Sequence, residues 1–231
     1  MVRKWRDLPD NMKKDAVRPY YNTLVKKQGS IARKRAMDVI LSAILTVLLS
    51  PVMLVIALAI KAEDKGPVFY RQERITTYGR VFCIFKFRTM VVDADKKGPL
   101  LTAKSDDRIT KTGHKLRRCR LDELPQLFNI LTGDMSFVGT RPEVKRYVDC
   151  YTDEMMATLL LPAGVTSAAS IAFKEEDIVL AHYIGKGETE DEAYVSHILP
   201  KKMRYNLAYL RKAGMREDLK IMAKTVLEVL R

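Results

Sequence analysis

Histidine and cysteine are scarce in this 231-residue chain, with three of each. Cys83, Cys119 and Cys150 lie far apart, at no spacing that holds a metal, and an odd count argues against a disulfide framework. His114, His182 and His197 are equally dispersed. These absences exclude a structural zinc and point to a reduced, cytosol-facing protein. Repeats, low-complexity tracts and a clean linker are also missing, which leaves one body of domain size. With 47% hydrophobic residues the chain can build a core, so wholesale disorder is excluded. Acidic residues are few beside basic ones, 28 against 41. Residues 1–35 hold eleven basic and three acidic residues, a net charge of +8 out of the total of +13. A basic arm ahead of a milder body calls for a partner with phosphates, either nucleic acid or an anionic membrane.

Charge is then absent altogether from Val39 to Ile60, 22 residues interrupted only by Ser42, Thr46, Ser50 and Pro51. A straight helix of that length spans roughly 33 Å, about the hydrocarbon thickness of a bilayer. The run starts too late and is too long for a signal peptide, and no small-residue cleavage pattern follows it. Membrane insertion is therefore expected, and nucleic acid is set aside as a partner. Proline inside a helix removes a hydrogen bond and clashes with the preceding turn, so a kink is expected at Pro51, with Ser50 available to a freed carbonyl. Both flanks are basic, Arg33, Lys34 and Arg35 before and Lys61 and Lys65 after. A spanning helix usually has lopsided flanks. A helical hairpin entering and leaving by the cytoplasmic face fits, and a kinked spanning helix remains the alternative.

The rest reads as an α+β body. Residues 66–90 alternate β-branched and aromatic positions around Tyr78-Gly79, as in a hairpin. Residues 91–107 are polar with Gly98-Pro99, a surface loop. Thr110–Arg120 and Leu124–Leu131 read as short helices, the second ended by Gly133. Pro142 opens a helical stretch through Leu161, broken by Pro162 and Gly164. Two amphipathic helices follow, about 201–212 and 216–231, with Leu219, Met222, Val226 and Val229 on one side of the last.

Chemistry concentrates at Leu121-Asp122-Glu123-Leu124-Pro125-Gln126-Leu127. Pro125 belongs in a first helical turn, which makes Asp122 a natural N-cap; the free N–H groups of a helix start also bind phosphate. The capping reading needs no catalysis. The surroundings favour more: Arg117, Arg118 and Arg120 precede the carboxylates, Lys86 and Arg88 end the hairpin, and Gly139, Thr140 and Arg141 follow. Arginine binds phosphate in bidentate fashion and threonine donates to it. Together they suggest a pyrophosphate site with an acidic nucleophile or metal ligand inside.

At this density of matches the chain resembles the bacterial sugar transferase family, the monotopic polyprenyl-phosphate phosphoglycosyl transferases. The resemblance runs from about Lys34 to Arg231. It includes Lys34-Arg35 with Asp38, the Ser50-Pro51 pair, Lys86–Met90, Asp107–Thr110, Gly113, Leu116-Arg117, Leu121–Leu127 and Gly133–Glu143. It implies a re-entrant helix-break-helix with Lys34, Arg35, Ser50 and Pro51 as anchor and kink. It implies a catalytic domain over residues 62–231 on the cytoplasmic face of the bacterial inner membrane. The implied reaction moves a phosphosugar from a nucleotide sugar, usually UDP-linked, to polyprenyl phosphate, releasing UMP, with Mg²⁺. Asp122 falls on the nucleophile position, also a metal ligand, and Glu123 on its partner. Lys86, Arg88, Arg117, Thr140, Arg141, Pro142 and Glu143 are the implied substrate contacts.

Two departures bear on the sugar. The family usually reads Arg-Pro-Gly-Ile-Thr-Gly where this chain has Leu161-Pro162-Ala163-Gly164-Val165-Thr166-Ser167, and the aromatic before Asp218-Leu219-Lys220 is replaced. Residues 1–30 lie outside the resemblance; contact with anionic lipid and a solvated tail are the two readings of this arm. The rival function is a non-catalytic membrane adaptor that binds nucleotide or lipid phosphate.

Overall fold

The computed structural model describes residues 2–94, 106–173 and 176–230, with the side chains of 229 and 230 outside that description. The expected loop around Gly98-Pro99 lies outside the described residues. Among the described residues the architecture is mixed, mostly helical with two small two-stranded sheets.

The basic arm is folded rather than a solvated tail. Two short 3₁₀ turns, Trp5–Asp7 and Asp10–Met12, lead into α1 (Arg18–Lys26). Val2, Leu8, Met12, Val17, Tyr20 and Leu24 are buried in the main core, against the 3₁₀ turn Met155–Leu160 and α9 (Leu199–Lys212). Burying an aliphatic or aromatic side chain contributes about 1.5–3 kcal/mol. The charges stay outside while this apolar set docks the arm.

Next comes α2 (Gln28–Asp64), 37 residues long and the one helix among the described residues long and apolar enough to cross a membrane. It is a single helix with Pro51 inside, so the expected break is not a break in secondary structure. The cause is local: Pro51 cannot donate to the Val47 carbonyl, and Ser50 Oγ donates to that carbonyl instead, at 2.8 Å. One stripe of α2 faces the body throughout. Ile31, Lys34, Asp38, Ser42, Met53, Ile56 and Ile60 are buried, and Leu45 and Leu49 pack beside them. The opposite face leaves Ile40, Ile44, Val47, Leu48, Val55 and Leu58 exposed.

The hairpin forms as expected. β1 (Phe69–Ile75) pairs antiparallel with β2 (Val81–Phe87), register Phe69 to Phe87, around a turn with Tyr78 and Gly79 at positive φ. α3 (Lys111–Arg118) is capped by Thr110, whose hydroxyl accepts from Gly113 N. α4 (Gln126–Thr132) ends at Gly133 with φ of 91°. The helix expected from Pro142 to Leu161 shrinks to α5 (Lys145–Val148) and the 3₁₀ turn. What was not foreseen is the parallel pair β3 (Met135–Val138) and β4 (Ala163–Thr166). Gly139 and Gly164 permit it, since a Cβ on Gly164 would lie 2.1 Å from Gly139 N.

α6 (Ala168–Ala172), α7 (Glu176–Ile184), α8 (Glu190–Ala193) and a π-helical turn Tyr194–Ile198 lead to α9 and α10 (Met215–Leu230). The apolar side read on the last helix points largely outward: Leu219 and Val226 are exposed, Met222 is partly buried, and Asp218 and Ile221 face inward. The side chain of Val229 lies outside the described residues.

Asp218 is fully buried because it meets Lys34. Lys34 Nζ donates to Asp218 Oδ2 at 2.6 Å, to Ser136 Oγ at 2.5 Å and to Val138 O at 2.9 Å, while Tyr209 Oη donates to Asp218 Oδ1 at 2.6 Å. Asp38 accepts from Phe137 N and lies 3.9 Å from Lys34. Arg35 donates to the carbonyls of Ile130 and Leu131 at the end of α4. The anchor expected at Lys34 and Arg35 is thus made on the protein, because both side chains reach carbonyl and carboxylate oxygens of the body. A Lys34→Met change strands two buried carboxylates and is expected to cost about 3–5 kcal/mol. Thermal unfolding in detergent reads this out, with Asp218→Asn milder; a Lys34→Met protein melting with wild type would remove the network as a structural tie.

Candidate active site

Arg120 adopts the left-handed conformation, φ 56°, and turns the chain into a 3₁₀ turn Leu121–Glu123. Non-glycine residues rarely hold that conformation, and strain of this kind is common beside reacting groups. Helical dihedrals continue through Leu124 and Pro125 into α4. Asp122 is therefore not the N-cap of α4, and the capping explanation of this residue falls away. Leu121 and Leu124 pack under α2 with Met53, Ile56 and Ile60, and Asn129 pins α4 to β2 through Phe85 N and Cys83 O. These contacts fix the turn against the hairpin.

The two carboxylates live in different fields. Glu123 Oε1 accepts from Arg141 Nη2 at 2.5 Å and from Lys86 Nζ at 3.1 Å. Burial opposes its ionisation, but Arg141 and Lys86 outweigh that and hold its carboxyl well below the usual range. Such a carboxylate is a poor base and a good clamp for two cations. Asp122 is 8% exposed. Burial pushes its carboxyl upward and the neighbouring Glu123 adds to this, against Lys86 and Arg117. Burial likewise lowers the Lys86 ammonium, with Glu123 pulling the other way.

An open cavity of about 1660 Å³ brings together Lys86, Arg88, Arg117, Asp122, Glu123 and Arg141. Arg108, Arg118 and Arg120 add further cations to the lining, and Leu45 and Leu49 of α2, with Leu127, Ile130, Phe137 and Val165, add apolar surface. Arg117 Nε donates to Thr89 Oγ1 at 2.9 Å. Arg88 pairs with Asp64, and its Nε and Nη1 are buried without a partner.

Thr140, Pro142 and Glu143 are not on this cavity; they border a small separate one behind it. Glu143 Oε1 accepts from Tyr194 Oη at 2.5 Å and lies 3.7 Å from Lys202 Nζ, all three buried. Glu143 is consumed by this pair, and the Thr140 hydroxyl is buried without a partner. Both line that second cavity together with Arg141. Tyr194, Lys202, Asn129 and Tyr209 are the polar residues missed by sequence reading, while Asp218 stood out only as the start of Asp218-Leu219-Lys220, without a role. Asn129 alone left a signal, a polar residue inside the apolar run Leu127–Leu131.

A family model described as bacterial sugar transferase matches residues 29–231. The chain is 36% identical over 196 residues to the UDP-glucose:undecaprenyl-phosphate glucose-1-phosphate transferase of Klebsiella pneumoniae, which covers 84% of this chain and 39% of that protein. It is 36% identical over 197 residues to the protein of the same description in Caulobacter vibrioides, covering 84% and 68%. It is 32% identical over 200 residues to the UDP-N-acetylgalactosamine-undecaprenyl-phosphate N-acetylgalactosaminephosphotransferase of Aeromonas hydrophila, covering 85% and 43%. The chain thus spans about two fifths of the Klebsiella and Aeromonas relatives and about two thirds of the Caulobacter one. With the family match running from the start of α2 to the last residue, this chain belongs to the bacterial sugar transferase family.

Proposed function

We propose that this protein transfers a phosphosugar from a UDP-sugar to undecaprenyl phosphate, giving the polyprenyl-diphosphate sugar and UMP. The observation that carries the reading is the pair Asp122 and Glu123 in a cavity lined both by arginines and by apolar side chains that include Leu45 and Leu49 of α2. The relatives' substrates, a UDP-sugar and undecaprenyl phosphate, suit a lining that is both cationic and apolar.

A carboxylate oxygen of Asp122 attacks the sugar-bearing phosphorus. The bond from that phosphorus to the bridging oxygen breaks, and UMP leaves with the electron pair. An oxygen of the acceptor phosphate then attacks the aspartyl phosphosugar and returns Asp122 as carboxylate. Arg141 and Lys86, held in place by Glu123, and Arg117 face the charge that builds on phosphorus. Glu123 orients these cations rather than taking a proton.

Among the described residues no three carboxylate, thiol or imidazole side chains converge on a metal position. Mg²⁺ needs no such cage, since it binds through one or two carboxylates plus substrate phosphates. Asp122 is the carboxylate on offer, because Glu123 is taken by two cations. When bound, the ion neutralises diphosphate charge.

The site belongs at the cytoplasmic surface of the bacterial inner membrane, at the first membrane step of glycan assembly. Both halves of α2 hold the same body, Ile31 in the main core and Met53, Ile56 and Ile60 under Phe87 and Leu116. A helix spanning the bilayer would carry those contacts to opposite faces. This supports a re-entrant or in-plane helix with both ends on one side. Cysteines at Gly29 and Ala62, both exposed, in a background without Cys83, Cys119 and Cys150, test it. An impermeant thiol reagent is expected to label both in inside-out vesicles and neither in intact cells. Labelling of either from outside would show a spanning helix.

The activity itself is tested by UMP release from purified protein with undecaprenyl phosphate, Mg²⁺ and a panel of nucleotide sugars. Release from none of them would return the protein to a binding role.

A further inference from the structure

Gln126 is 1% exposed, borders the cavity, and neither its amide oxygen nor its amide nitrogen has a partner. A buried primary amide left without hydrogen bonds is costly, and natural structures retain one mainly where a ligand or water completes it. Its position narrows the ligand. Gln126 opens α4 three residues after the 3₁₀ turn that carries Asp122, and both side chains border the same cavity.

We infer that the Gln126 amide contacts the transferred phosphosugar, Nε2 donating to a phosphoryl oxygen and Oε1 accepting from a sugar hydroxyl or acetamido N–H. The inference rests on the phosphosugar-transfer reading above. Only a ligand that both accepts and donates satisfies the two ends of the amide. The acceptor lipid offers phosphate oxygens and an apolar chain, which would leave Oε1 stranded. Uracil also donates and accepts, but it lies beyond the leaving α-phosphate, further from Asp122 than the sugar joined to the attacked phosphorus.

Gln126→Met keeps the shape and removes both polar ends. The expected result is an unchanged or raised melting temperature with kcat/KM for the nucleotide sugar lowered about ten- to a hundredfold, the range for one or two lost hydrogen bonds to substrate. The KM for undecaprenyl phosphate and the inhibition constant of UMP are expected to hold. Gln126→Glu keeps the acceptor but sets a charge beside Asp122, and should lose more. Wild-type kinetics in Gln126→Met, or a lowered melting temperature or failure to fold, would show the amide to be structural or met by water alone and overturn the contact. Weakened UMP inhibition would move the amide to the nucleotide and overturn it equally. A wild-type protein that releases UMP from no donor removes the reaction and this contact together, whereas an active wild type with an unaffected variant removes the contact alone.

Discussion

Asp122→Asn is expected to lower kcat by roughly 10⁴-fold or more, the scale on which a removed nucleophile is felt. Asparagine is nearly isosteric and Asp122 caps no helix, so no structural loss accompanies the change. A small gain in stability is expected instead. Folding raises the pKa of Asp122, so ionising it opposes folding. That cost is complete above the folded-state pKa and absent below the ordinary value of 3.8. The melting temperature of Asp122→Asn should therefore exceed wild type at pH 7 and converge with it as pH falls toward that value. Near-normal UMP release from a folded Asp122→Asn protein would remove Asp122 as nucleophile.

Arg141→Lys is expected to lower kcat/KM by roughly 10²–10³-fold, about 3–4 kcal/mol of transition-state stabilisation. Arg141 reaches Glu123 through Nη2 and the Val165 carbonyl through Nη1, at 3.3 Å. A lysine keeps the charge and can hold only one of these, so the fork is lost while the net charge is not. Kinetics with a saturating and a limiting nucleotide sugar separate the two effects, and a melting curve checks the fold. A Lys variant at wild-type rate would place the phosphate clamp on the Arg88 and Arg117 side. Arg117→Lys, which gives up the bond to Thr89, should be impaired in the same direction.

Local pattern carried far in this chain. The hairpin around Tyr78-Gly79, the stop at Gly133 and the apolar run through Pro51 each announce themselves within a few residues, and each formed. The clustering of Lys86, Arg117, Asp122, Glu123 and Arg141 was also legible, since motif residues converge where chemistry needs opposite charges. What was not legible depends on distant partners. Glu143 reads as one more acid beside Arg141, and only the position of Tyr194 and Lys202, over fifty residues on, turns it inward. Residues 142–161 carry a helical pattern, yet β4 pairs in parallel with β3 and pulls the segment out of a continuous helix. In the arm, eleven positive charges drew attention from six apolar positions too irregularly spaced to announce a helix. At Pro51 the helix runs on, and the Ser50 hydroxyl donates to the Val47 carbonyl that the proline leaves without its helical donor.

The bond between Lys34 and Asp218 joins residues 184 positions apart. At 5–20 residues per second, a ribosome makes the lysine roughly 10–40 s before its carboxylate. Throughout that interval α2 is already available to the bilayer while its buried cation has no final counter-ion. The last helix then acts as the latch of assembly: a chain stalled before Asp218 leaves Lys34 with Asp38 alone, without its nearer carboxylate. Nascent chains arrested at Lys212 should be cut readily by protease, and chains extended through α10 should resist it. Equal resistance in both would show that the body closes without its final helix.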